Sequence, residues 1–471
     1  MKIIHQCLQV KGIKLKRLQE MSIHHRPNCH AFVKLAAEVD KEEMLRFMPQ
    51  SAETLVTIAA AGVDGREKTL FCGYILRIHR EETAEYCLAK MLLADTSYLL
   101  DLQKERKSFQ DLTQTYGTIL RAACQQNGMD AKAEIRMNVP DKAIGEFVLQ
   151  LDETDWQFAR RMASRFGVPV FTDCAAENPG LSIGLPTQAK EEKIPAWVET
   201  SRRYQEARRQ LWQENSFVTG RQPIAEDFVS LQVETDDYLP LGTAVSWQGK
   251  SYRIAAVTGK LIDGMLHMRY RLAREKSLLA ARQKNPTCAG MVLTGQVKEV
   301  RQDKVKVHFL EVDAAYEEAA NKWFPYATTY SSSDGSGWYV MPSEGDYVRV
   351  FFPTQEEKDA FCISTINAAP PANTRNKTLR APGGKELLLT DNSVHLITKH
   401  QDTFIDMSGS GVNIVTSNPV KVTAEKKVIM QAKTLEILAK DEINLGAGNT
   451  SMSMNKEKIG LQAKDILVGG D

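Results

Sequence analysis

Three groups of side chains have the types and spacing to do chemistry. His24, His25, Cys29 and His30 bring nitrogen and sulfur ligands into one short segment. A zinc site also needs a second ligand pair at finger spacing, and none follows. Pro27-Asn28 marks a turn, so the expectation is a surface loop. Asp152, Glu153 and Asp155 are the second group. Glycosidic acid and base must face each other across a cleft, about 5–10 Å apart. Adjacent acids at a helix start serve more simply as caps and partners of the helix dipole. Asp334-Gly335-Ser336-Gly337, after Ser331-Ser332-Ser333, is the third. It lacks the Lys and Ser/Thr of a phosphate-binding loop and reads as a flexible turn. No residue is therefore expected to be catalytic, to bind a cofactor or to hold a metal.

The elements that carry these residues belong to a chain of 471 residues, long enough for two to four domains. Net charge is +1, which gives no electrostatic reason to expect nucleic acid as a partner. No apolar run approaches the roughly 20 residues that cross a bilayer. The first residues, Met1-Lys2-Ile3-Ile4-His5-Gln6, lack the pattern of a secretory signal, so synthesis and folding in the cytosol are expected. Eight scattered cysteines without a CxxC pair are expected to be reduced thiols, mostly buried.

The most regular signal lies at the C-terminal end. Apolar residues two apart recur as Val412/Ile414, Val420/Val422, Val428/Met430, Leu435/Ile437, Ile443/Leu445, Ile459/Leu461 and Ile466/Val468. The frame starts at Leu388, Leu396 and Phe404 and steps by eight, with two steps of seven, from 428 to 435 and from 459 to 466. Asp406, Ser451 and Ser453 break it. Met452 and Met454 alternate in the opposite phase, so the strand there slips by one. Period two means strands with one buried face, and a fixed repeat means stacked β structure. One short strand cannot bury its apolar face alone. Three sides of a prism can, either consecutive repeats of one chain or the same repeat from three chains. Three chains use every unit and close the sheet edges, and that arrangement is preferred over a solenoid or a sandwich.

Upstream, residues 285–367 read as a small five-stranded barrel of the OB type. Strands are expected at Gly290 to Val300, Lys304 to Phe309, Gly337 to Met341 and Tyr347 to Phe352, with Ser343-Glu344-Gly345-Asp346 as a turn. Here the sequence resembles a known family. Trp323-Phe324-Pro325-Tyr326, Gly337-Trp338-Tyr339-Val340-Met341-Pro342 and Gly345-Asp346-Tyr347-Val348-Arg349-Val350 resemble the barrel of the valine–glycine repeat protein G (VgrG) family and of phage late-control D proteins. Glu153-Thr154-Asp155-Trp156-Gln157-Phe158 resembles the helix of their hub portion. Phe71-Cys72-Gly73-Tyr74-Ile75 and Ser108-Phe109-Gln110-Asp111-Leu112-Thr113 are weaker matches.

The resemblance implies a mainly β protein. Hub β-barrel domains with a few helices would fill residues 1–284, with a polar insertion at about 175–225. The OB-fold barrel, a linker at 368–387 and a trimeric β-helical needle at 388–471 would follow. Helices are expected at Asp111 to Gln126, at Asp155 to Phe166 and, amphipathic and exposed, at Glu199 to Glu214. In the family, three hubs form a pseudo-sixfold ring that joins a threefold spike to a sixfold tube. The implied function is structural: a spike and hub of a contractile injection machine in a phage tail, tailocin or type VI system. It would be assembled in the cytoplasm and ejected toward a target cell, meeting the target membrane only on firing. Implied partners are two further copies of the chain, a tail tube protein, baseplate components, a PAAR-type tip protein and effector cargo. The listed pairs from Val412 to Val468 would form the needle core, and Leu467, Val468, Gly469, Gly470 and Asp471 would touch the tip protein. The alternatives are a cell-wall hydrolase or a carbohydrate-binding tail fibre built on a spike scaffold.

Overall fold

The computed structural model describes residues 3–4, 7–61, 67–82, 86–125, 132–187, 191–193, 198–205, 207, 209–210, 213, 224–365, 369–370, 372–398 and 403–467. The chain forms two compact units, Met1–Ile366 and Asn367–Asp471.

The first unit is built on a twelve-stranded sheet. Its N-terminal half runs Leu8–Lys11, Leu55–Ala61, Glu67–Glu82, Cys87–Asp95, Phe32–Val39 and Arg17–His25 in spatial order. Arg17–His25 then pairs antiparallel with Lys250–Ile262, with Val257 opposite His25. The sheet continues through Met265–Ala273, Val229–Thr235 and Val198–Tyr204. Two distant stretches of sequence thus share one hydrogen-bonded sheet. Inward residues such as Met21, Ile23, Val33 and Leu35 share a core with Val257, Leu266 and Met268 from the second stretch. Gly73 is required where Glu67–Glu82 meets Cys87–Asp95, because a Cβ there would lie 2.0 Å from the Ala94 carbonyl oxygen.

Helix α1 (Lys41–Phe47) is capped by Asp40. Helices α2 (Tyr116–Ala123) and α3 (Asp155–Ser164) pack into a second core. Thr154 caps α3: its hydroxyl accepts from the Gln157 amide, and the Gln157 side chain accepts from the Thr154 amide. Phe158 and Met162 fall on its buried face, as their spacing requires, and Phe166, just past the helix's observed end, is buried in the same core.

The third core is the barrel. Its strands are ordered Phe324–Pro325, Lys304–Phe309, Val292–Arg301, Tyr347–Phe351 and Phe361–Thr365. A parallel bridge from Tyr326 to Cys362 joins the two ends. The expected strand at Gly337 to Met341 is instead loop. Gly337 sits at φ +139, where a Cβ would strike the Tyr330 carbonyl, and Trp338, Tyr339 and Val340 are exposed. The strand Val148–Thr154 separates the second and third cores. Val148 faces the helices, while Leu149 and Leu151 face the barrel. A strand buried on both faces explains its near-continuous apolar start.

Two expectations for the insertion are corrected. Gly180–Ile183 is a strand between Val170–Thr172 and Glu134–Met137, and Leu181 and Ile183 are core residues. Glu199 to Tyr204, expected as the start of an amphipathic helix, lie in the strand Val198–Tyr204, which pairs with Val229–Thr235 and covers its edge. Of the rest of that helix, Ala207, Arg209, Gln210 and Gln213 are helical. Leu211, Trp212 and Glu214 lie outside the described residues.

The second unit begins with an antiparallel meander: Lys377–Arg380, Glu386–Leu389, Ser393–Ile397, Thr403–Ser408 and Gly411–Thr416. Its first strand lies within the stretch expected as a linker. A second meander comprises Glu442–Ala447, Thr450–Asn455 and Ile459–Gln462. Residues 417–441 between them form no strand.

Candidate functional site

The acids at the start of α3 lie on the boundary between helices and barrel. Asp152 takes a positive φ of 50°, which swings it outward onto Arg106, 2.8 Å from its Nε. Glu153 turns inward. Arg161, two turns along α3 and only 2% exposed, donates from Nε and Nη2 to the Glu153 carboxylate at 2.7–3.1 Å. Its Nη2 also reaches the Leu149 carbonyl at 2.8 Å, and its Nη1 donates to Glu357 of the barrel. Arg165 completes the cluster, donating to Glu357 at 3.0 Å and to Glu146 at 3.0 Å. Burial pushes the Glu153 carboxyl up, opposed by Arg161. Burial disfavours the Arg161 charge, but Glu357 and Glu153 together hold its proton more firmly than usual. Glu153 and Glu357 each meet a guanidinium in a buried setting, while Asp155 accepts from the Gln150 amide at 2.9 Å. The Arg161–Glu357 contact clamps α3 to the barrel.

The histidine segment folds differently from the expected surface loop. Pro27-Asn28 does turn, with Asn28 at φ 60. His25 ends a strand, and both His25 and His30 are buried. Thr172 donates to Asp95 at 2.7 Å, so its hydroxyl accepts from His25 Nε2 at 2.8 Å. Ser97 donates to the other Asp95 oxygen at 2.5 Å and accepts from His30 Nδ1 at 2.7 Å. His30 Nε2 lies 3.4 Å from Asp101, which accepts from the Thr154 cap at 2.5 Å. Ser97, His30 and Asp101 have the residue types of a hydrolase triad. Yet the Ser97 proton is committed to Asp95 and the residue is 1% exposed, so it has no route to a substrate. Burial lowers His25 to about 4, against the pull of Asp95 and Asp173, and keeps it neutral. Among the described residues, no three His, Cys, Asp or Glu side chains are grouped to hold a metal. All eight cysteines are free thiols and six are buried. The sequence pointed to His25, His30 and the helix cap. It gave no sign of Asp95, Ser97, Asp101 or Thr172, which are distant in the chain.

The repeat residues lie in the second unit. Val412, Ile414, Leu445, Ile459, Leu461 and Ile466 are exposed, and Ile443 is half-buried. Val420, Val422, Val428, Met430, Leu435 and Ile437 are exposed within the strandless stretch. Among the described residues, 419–440 make no backbone–backbone hydrogen bond. Leu467 is 96% exposed, and Val468, Gly469, Gly470 and Asp471 lie outside the described residues. Hairpin register decides which residues share a face. Leu396 stands opposite Ile405, and Ile405 opposite Ile414, so Phe404 of the octad frame points to the other side. Met452 stands opposite Leu445 and Leu461, and Met454 opposite Ile443 and Ile459. The methionines thus take the apolar row, and Ser451 and Ser453 leave it.

Residues 45–194 match the family described as phage tail baseplate hub (GPD). No curated protein matches the sequence. Among solved structures, the E. coli c3393 protein aligns with TM-score 0.53 at 14% identity, over 76% of this chain and 99% of that one. That protein is described as a type VI secretion component similar to the phage T4 tail proteins gp27 and gp5. The Francisella PdpA–VgrG complex aligns in its half-lidded form with TM-score 0.52 at 8% identity, over 87% of each chain. Its lidded form gives 0.53 at 9%, over 86% of this chain and 79% of that one. The resemblance read from the sequence is borne out: residues 45–194 match the baseplate-hub family, and the chain has a mainly β fold similar to that of the VgrG-like structures.

Proposed function

We propose that this chain is the hub and spike of a contractile injection machine, working as a homotrimer whose C-terminal repeats wind into one needle. The hub match over residues 45–194 and the VgrG-like fold support the first part. One observation carries the second: most of the repeat's apolar residues, Val412 to Ile437 among them, are exposed, and residues 419–440 leave their backbone groups unpaired with other backbone. Exposed apolar rows and open strand edges call for partners. In the hairpins from Glu386 onward, paired residue numbers sum to odd values, such as 396 with 405 and 443 with 454. An even step of eight therefore crosses to the opposite face at each unit. A single chain cannot bring successive octad residues together by this meander. Three chains that exchange strands place every unit on one inner face.

The role is mechanical. Contraction of a sheath drives the rigid trimer, and the needle transmits force to a narrow tip. The particle assembles in the cytoplasm and is ejected on firing. Tube protein binds the hub end, baseplate components surround it, and a PAAR-type protein seats on Leu467 to Asp471 with effector cargo. A PdpA-like partner, as in the Francisella complex, is a further candidate. Solution mass tests the reading. We expect about three times the 52.8 kDa chain mass by light scattering. Val420→Asp with Val428→Asp should return it to one chain mass while the hub stays folded. A wild-type monomer overturns the trimer.

A further inference from the structure

Asp406 breaks the apolar octad frame, and the first meander shows what it meets. It stands opposite His395 in the hairpin of Ser393–Ile397 and Thr403–Ser408. Its Oδ1 lies 3.2 Å from His395 Nδ1. The other ring nitrogen, Nε2, lies 2.7 Å from the Oγ of Ser393, two residues back on the same strand and so on the same face. A carboxylate beside Nδ1 holds the proton on that nitrogen, which leaves Nε2 to accept from the Ser393 hydroxyl. The three side chains therefore stand in the order of a nucleophile, its base and the acid that orients the base. The His395–Asp406 contact is not aligned as a full hydrogen bond, a common state of such contacts before substrate binds.

The buried set at Ser97 fails because its serine proton goes to a carboxylate and the residue is closed from solvent. Neither obstacle exists here. Among the described residues, Ser393 Oγ meets His395 Nε2 and, at 2.8 Å, Thr390 Oγ1. Ser393 is half-buried, and the side chains of His395 and Asp406 are 26% and 31% exposed. Register supplies the rest of the site. Leu388 stands opposite His395, and Phe404 opposite Ile397, so these three half-buried side chains share the face of His395. They form an apolar bed for a short acyl chain. The Thr390 hydroxyl, otherwise bonded to the Ser393 carbonyl at 3.2 Å, is a donor within reach of an oxyanion formed at Ser393.

We propose that Ser393 is an acyl-accepting nucleophile and that this face of the meander cleaves small apolar esters. Ser393 Oγ bonds to the acyl carbon while His395 Nε2 takes its proton. The bond from acyl carbon to alkoxy oxygen then breaks, and the proton leaves with the alcohol. Water repeats the sequence on the acyl-serine: His395 takes a water proton and returns it to Ser393 Oγ as the carboxylic acid departs. Asp406 is a positioning residue that holds the ring and balances the imidazolium charge. The site lies within the meander of one chain, so its test is separate from that of the spike reading.

A fluorophosphonate probe on the full-length protein tests it, because attack by Oγ expels fluoride and leaves a stable phosphonyl–serine adduct. Peptide mapping by mass spectrometry should place the adduct on Ser393. His395→Gln should slow labelling about tenfold or more with an unchanged circular dichroism spectrum. Hydrolysis of p-nitrophenyl butyrate should fall to the buffer rate in Ser393→Ala. Asp406→Asn should lower kcat about tenfold or more and leave KM unchanged. Absence of an adduct on Ser393 of folded wild-type protein overturns the proposal. So does labelling of the exposed Ser332 and Ser336 at the same rate, labelling indifferent to His395→Gln, or ester hydrolysis that survives Ser393→Ala.

Discussion

Replacing Arg161 with methionine removes the charge from the hub–barrel clamp while keeping side-chain length. Three hydrogen bonds to Glu153, one to Glu357 and one to the Leu149 carbonyl are lost. Glu357 keeps Arg165, but Glu153 keeps no guanidinium in hydrogen-bond contact. Stranding one member of a buried ion pair costs about 3–5 kcal/mol. The unit that must unfold spans Met1–Ile366. Its size implies an unfolding entropy near 0.8 kcal/mol/K, so the melting temperature should fall by about 4–6 °C. The pH dependence gives a second reading. Burial already raises Glu153, and a raised carboxyl favours the folded state below its unfolded pKa and loses that contribution as pH rises through the folded one. Without Arg161 the carboxyl rises further, so the deficit should be largest at neutral pH and shrink as pH falls toward the carboxylate range. Adding Glu153→Gln should recover more than half of the loss, because the buried charge is then gone. Differential scanning calorimetry across pH measures all three effects. A fall of less than about 1 °C, or a deficit that does not change with pH, would refute the clamp as an energetic element.

Other expectations concern separate parts of the fold. His25, held down to about 4, should make the protein acid-sensitive: its contribution is complete above the unfolded value and is lost as pH falls from about 6.5 toward 4. The loss amounts to about 3 kcal/mol, and chemical denaturation of His25→Gln should show a flatter profile over that window. Thr154→Ala removes both the α3 cap and the bond to Asp101, and should cost about 1–2 kcal/mol in the same assay. Gly73→Ala drives a Cβ into the Ala94 carbonyl and should lower soluble yield and melting temperature, with a penalty of about 1–3 kcal/mol or more. In contrast, Gly409→Ala should leave stability within about 0.5 kcal/mol, since a Cβ there meets nothing within 4 Å.

Local signals were legible wherever one residue's neighbours in sequence were also its neighbours in space. Alternation marked Lys304–Phe309 and Tyr347–Phe351, and Phe158 and Met162 marked the buried face of α3. Edge effects were not legible. Val198–Tyr204 has the polar composition of an exposed helix, yet it became a strand because Val229–Thr235 offered an unpaired edge. The aromatic run Trp338-Tyr339-Val340 reads as a strand but forms a loop, held by isolated hydrogen bonds such as Trp338 N–H to the Tyr330 carbonyl rather than by a ladder, with Gly337 close against Tyr330.

What the sequence determined by itself was the class of structure and the position of its repeat. Period-two patterning, the order of barrel and repeat, and the hub helix were enough for a mainly β hub-spike reading. The tertiary structure alone decided which charges are buried and what meets them. His25 reaches Asp95 through Thr172, and Arg161 reaches Glu357 across 196 positions. Hydrogen bonds and desolvation act over a few ångströms of space, whatever the separation along the chain. A buried charge becomes a clamp only when the fold has closed around it.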